Sequence, residues 1–144
     1  MLEIVRSLDK AMNNTSVILV FEMGDKRLLF PGDAQIENWQ YALSQKANQD
    51  LLAGVNLYKV GHHGSLNATP ISLWKKFKNK STDAGRKTRL SALMSTLEDK
   101  HGSEDSNTEV PRRTLVSALK ANTNLFTTQS LAGKTFFHDT VVPL

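Results

Sequence analysis

Residues 16–23 read SVILVFEM, a nearly unbroken apolar and β-branched run, and this stretch restricts the fold more than any other. Branched side chains crowd the preceding turn of a helix but pack well on a pleated surface. The run therefore predicts a strand covered on both faces. Gly24-Asp25 turns the chain, and residues 26–30 (KRLLF) read as the hairpin partner. Pro31-Gly32 then ends that strand abruptly at Asp33.

The rest of the chain alternates between the two periodicities. Leu2, Val5, Leu8 and Met12 form one helical stripe over residues 2–12, which Asn13-Asn14 breaks. Residues 36–52 carry a helical pattern with Ile36, Trp39, Leu43, Leu51 and Leu52 inward, closed by Gly54. A short strand over 55–60 leads to a helix over 70–77, with Pro70 in its first turn. After a polar loop to Thr88, residues 90–94 suit a strand, and 100–109 (KHGSEDSNTE) form a loop without core residues. Residues 111–121 predict a helix with Leu115, Val116 and Leu119 inward. Residues 124–128 and 134–137 suggest a terminal hairpin. Strands alternating with helices indicate α/β layering, a mixed sheet flanked by helices.

With 144 residues the chain can bury one ordinary core, so 1–144 is expected to be one domain or a large part of one. No window is apolar enough to span a membrane and residues 1–14 lack a secretory apolar region, which makes the cytoplasm the expected compartment. Cysteine is absent, so disulfides, thiolate nucleophiles and thiolate-held zinc are excluded, and any metal must be held by His, Asp or Glu. The net charge is +4, and Lys75, Lys76, Lys78, Arg86, Lys87 and Arg89 concentrate positive charge in one region. Such a cluster can attract nucleic-acid phosphates, although solvated helix faces and loops produce it equally well.

Two stretches could carry chemistry. In LLFPGDA (28–34), Asp33 stands at the C-terminal edge of a strand, where open α/β proteins place their sites. It also suits the N-cap of the helix that begins near Ile36. In KVGHHGS (59–65), a strand again ends in a glycine, here followed by His62, His63 and a second glycine. Neutral imidazole is a common ligand for zinc-like ions, and flanking glycines permit close approach; a pair of polar turn residues is the plainer alternative.

Together the stretches resemble the metallo-β-lactamase-fold hydrolases, most nearly the hydrolase domain of bacterial DNA-uptake competence proteins. The matching pieces are Asn14-Thr15-Ser16, residues 28–34, residues 59–65, Lys100-His101-Gly102, and Phe126-Thr127-Thr128 with Gly133, in the order of that family. The resemblance implies that Asp33 bridges two metal ions, zinc or manganese, and that His62 is a ligand to one of them. It implies that His63 and Ser65 face substrate or support the ligands, and it places His101 near the family's late histidine, without the proline that follows there. His138 matches nothing and is expected at the surface. In such a site the metals lower the pKa of bound water to about 7 and supply hydroxide to a phosphodiester or related ester.

The family's main ligand motif, His-x-His-x-Asp-His, lies upstream of the aspartate. Here no histidine precedes His62. The chain is therefore expected to be the C-terminal half of an αββα sandwich, inactive alone because one Asp and one His do not build a tight dinuclear site. Its expected partners are the missing N-terminal half or a second copy of itself, with the apolar faces of Ile18, Val20 and Leu29 left to be covered. A non-catalytic module binding nucleic acid or protein through the basic loops is the alternative.

Overall fold

The computed structural model describes residues 15–97, 102, 103, 105, 108–131, 139, 141 and 142. The expected helix over 2–12, His101, His138 and the second strand of the terminal hairpin lie outside the described residues.

The apolar run forms strand β1 (Leu19–Met23), which turns through Gly24 at φ 62° and pairs antiparallel with β2 (Lys26–Phe30). Strands β3 (Leu57–Lys59), β4 (Ser91–Met94) and β5 (Asn124–Thr127) follow in parallel, in the spatial order β1-β2-β3-β4-β5. The sheet is thus mixed, with β1 as its antiparallel edge. Helices α1 (Ile36–Ser44), α2 (Lys46–Ala53), α3 (Ile71–Lys76) and α4 (Arg113–Asn122) supply the crossovers.

The single helix expected over 36–52 is broken at Gln45, whose extended backbone (φ −93°, ψ 122°) ends α1 and starts α2. The break is stabilised locally. Asn48 Nδ2 donates to the Ala42 carbonyl (3.1 Å) and Gln49 Nε2 to that of Leu43 (2.8 Å), so side chains satisfy acceptors that the helix releases.

One face of the sheet holds the core. Leu29, Tyr58, Ala92 and Met94 project from the strands, with Val60 just after β3, into a cluster with Trp39, Leu52, Leu73, Val116 and Leu119 of all four helices. Ile18 and Val20 pack against the same cluster. That placement corrects the expected register: Ile18, Val20 and Leu29 are on the helix-covered face, and the alternate residues of β1 are the uncovered ones. Val17, Leu19, Phe21 and Met23 are all exposed, and the register sets the last three beside Phe30, Leu28 and Lys26. Strand β1 is therefore covered on one face only, where its sequence suits cover on both. Ile36, expected inward, is 39% exposed.

Tyr58 shows how burial sets chemistry in this core. Its phenol is fully buried and shares a hydrogen bond with Thr69 Oγ1 (2.7 Å). Burial pushes its pKa up to about 12, against the opposing effect of that hydrogen bond. Because the folded state holds the proton more tightly than the unfolded chain, Tyr58 contributes stability that is complete below its unfolded pKa of about 10. The contribution is lost as pH rises toward 12. Urea unfolding across this window should show a fall on the order of 2–3 kcal/mol relative to Tyr58→Phe, which cannot titrate. Parallel pH profiles for the two proteins would count against this account.

Candidate functional site

Four parallel strands point their C-terminal ends to one edge of the sheet, and their loops meet there. Gly32, at φ 57°, turns the chain after β2 and leaves Asp33 exposed to solvent. The next loop lies directly against it: the His62 amide donates to the Gly32 carbonyl (3.3 Å). Contact is close enough that a Cβ on Gly61 would stand 2.8 Å from that carbonyl oxygen. The loops bearing Asp33 and His62 are therefore in direct contact.

Asp33 does not cap α1. The N-cap is Gln35, whose amide donates to Asn38 Oδ1 (3.0 Å), so the N-cap reading of Asp33 is set aside. The side chain that sequence reasoning missed is Lys59, on the last position of β3. Burial lowers its pKa, while the nearby Asp33 charge acts in the opposite direction. Its signal was a lysine at the end of a strand segment that reads VNLYKV. Its ammonium donates to the Val60 carbonyl at 3.3 Å.

The two histidines divide their roles. Both adopt left-handed backbone, His62 at φ 41° and His63 at φ 54°. Such a conformation costs about 1–3 kcal/mol per residue and persists only where surrounding contacts impose it. Here the turn is closed by Gly64 N–H to Gly61 O (2.9 Å) and Ser65 N–H to His62 O (3.0 Å). His62 Nδ1 is buried and finds no hydrogen-bond partner among the described residues. Such an atom is costly to leave alone. His63 is exposed, and its Nδ1 lies 2.8 Å from the Ser95 carbonyl. A carbonyl only accepts, so Nδ1 carries the proton and, in the neutral ring, Nε2 keeps its lone pair.

Gly64 is held from the other side by the start of the α4 segment. The Arg112 amide donates to Gly64 O (2.8 Å), and a Cβ on Gly64 would lie 3.0 Å from Pro111 Cβ. The chain thus brings Val110-Pro111 to the histidine turn, residues without ligand chemistry. Ser65 follows the turn and lines a cavity on the helix side.

The basic residues are not equivalent. Arg89 is a structural clamp: its guanidinium donates to Ser81 O (2.8 Å), Asn124 Oδ1 (3.1 Å) and Ala121 O (3.0 Å), tying the preceding loop to the end of α4. Lys76 donates to Gln49 (2.6 Å). Lys75, Lys78, Arg86 and Lys87 are exposed.

Among the described residues, no three His, Asp or Glu side chains converge to hold a metal ion, and no helix is long and apolar enough to cross a membrane. Compared with known proteins, the chain matches no protein-family model, no curated protein and no solved structure. The fold and site define an α/β protein with a mixed five-stranded sheet whose polar loops gather at the C-terminal edge of the parallel strands.

Proposed function

We propose that this chain is one half of a metallo-β-lactamase-type hydrolase, contributing Asp33 and His62 to a metal centre that cleaves phosphodiester or related ester bonds once a second half supplies the other ligands. The observation that carries this reading is the backbone bond from His62 to Gly32, which joins two loops with ligand chemistry at one sheet edge. Two further features support it. His62 Nδ1 is a buried atom without a hydrogen bond, and the exposed apolar row of β1 belongs to the face that the described helices leave uncovered.

The donors of this chain do not fit two ions by themselves. One exposed carboxylate and one imidazole fall short of the four ligands that a tight zinc site needs. Zinc or manganese therefore belongs to the assembled domain. What this chain contributes is a carboxylate at Asp33, a nitrogen donor at His62, and at His63 a ring oriented by its bond to the Ser95 carbonyl.

The test is to co-express the chain with an N-terminal half bearing His-x-His-x-Asp-His and to follow hydrolysis of bis(p-nitrophenyl) phosphate with zinc or manganese. Activity is expected only in the complex, and Asp33→Asn or His62→Ala should each lower it on the order of 100-fold or more. Lys87→Ala should leave it unchanged. A complex that forms without activity, or activity indifferent to both site substitutions, refutes the reading.

A further inference from the structure

On the helix side of the same sheet edge lies a cavity of about 590 Å³, between the 65–70 loop, α3 and the first turns of α4. Its volume falls within the roughly 300–1,000 Å³ typical of small-molecule sites. We propose that this cavity binds a compact, neutral, largely apolar molecule with a hydrogen-bonding edge.

The chemistry of the walls sets that class. Trp74, Leu115 and Ala118 supply an apolar floor. Leu66 and Ile71 stand in the lining with 60% and 71% of their surfaces exposed, so large aliphatic side chains that ordinarily seek cover meet water here. An apolar guest would remove that surface from solvent. Ser65 and Thr114 place hydroxyls among these apolar groups, each able to donate or accept.

Charge decides between a neutral guest and an anion. Arg112 lines the cavity, but its Nη1 donates to Glu109 Oε2 at 2.7 Å, so the cation is matched within the chain. The Glu109 carboxylate also accepts from the Arg113 amide (3.5 Å) at the start of α4, where a guest anion would otherwise be favoured. The wall therefore offers a guest little net charge, which favours an uncharged molecule over a phosphate or sulfonate.

The experiment uses N-phenyl-1-naphthylamine, a neutral probe that brightens in apolar sites, and its sulfonated analogue 1-anilino-8-naphthalenesulfonate. The neutral probe should bind with one-to-one stoichiometry and a Kd on the order of 10–100 µM. Quenching of Trp74 should accompany binding. Ala118→Trp, which fills the floor, should weaken binding at least tenfold, while Phe21→Lys on the exposed β1 row should not change it. Thr114→Trp fills the mouth from an exposed position and applies the same test if the floor variant folds poorly. Absence of binding, equal binding to the filled variants, or tighter binding of the sulfonate by tenfold or more would each overturn the proposal.

Discussion

Trp39→Ala should lower folding stability by about 3–5 kcal/mol, a large part of the roughly 5–15 kcal/mol that a domain possesses. Trp39 is fully buried on α1, and its indole Nε1 donates to the Ala68 carbonyl at 3.0 Å. Truncation has two effects. It opens a cavity in the main core, and it leaves a buried carbonyl without its donor. Trp39→Phe separates them, because the ring largely fills the space while the hydrogen bond is lost; it should cost about 1–3 kcal/mol. The consequence extends to the site, since Ala68 belongs to the loop that follows the histidine turn. Urea unfolding gives the stability. Faster amide hydrogen exchange from Ser65 to Ala68 in Trp39→Phe would show that the indole also holds this loop. A loss below 1 kcal/mol on truncation to alanine would mean that Trp39 is not central to the core.

How far the chain could be read in advance varied with the kind of information each feature carries. The hairpin of β1 and β2 was legible because Gly24 and the Pro31-Gly32 pair punctuate it locally. The strand over 26–30 matches β2 at both ends. The break at Gln45 was not legible, because the apolar spacing continues across it and the side-chain bonds from Asn48 and Gln49 that stabilise it are specific to three-dimensional placement. The choice of buried face was missed for a related reason. In SVILVFEM the wholly apolar set is Val17, Leu19, Phe21 and Met23, whereas Ile18 and Val20 alternate with the polar Ser16 and Glu22, so pattern alone points away from the observed burial of Ile18 and Val20. At the site, sequence placed Asp33 and His62 at strand ends, and the parallel pairing of β2 with β3 brings those ends together. The clamp role of Arg89 was invisible, because its three acceptors come from separate segments.

Gly61→Val should be among the most disruptive substitutions at the site, and its cause is space and not backbone freedom. Gly61 has an ordinary extended conformation (φ −72°, ψ 158°) that any residue can adopt. Its added Cβ would meet the Gly32 carbonyl at 2.8 Å and Pro31 Cγ at 3.1 Å, and the first of these is backbone that cannot swing aside. The loops bearing Asp33 and His62 must then separate, which breaks the His62–Gly32 hydrogen bond. A stability loss of about 1–3 kcal/mol or more is expected, with Gly61→Ala showing most of it because the first carbon makes the clash. Gly24→Ala provides the opposite case. There φ is 62° and nothing lies within 4 Å of the new Cβ, so only the conformational cost remains, about 1–2 kcal/mol. The two sites are distinguished by replacement with asparagine, which tolerates left-handed backbone. Asparagine should recover part of the stability at position 24 and none at position 61. If the proposed hydrolase assembly forms, Gly61→Ala should also lower its metal affinity, because it moves His62 relative to Asp33, whereas Gly24→Ala should not. If Gly61→Ala leaves both stability and metal affinity intact, the two loops are not held in register by the contact between them, and the site's geometry has another origin.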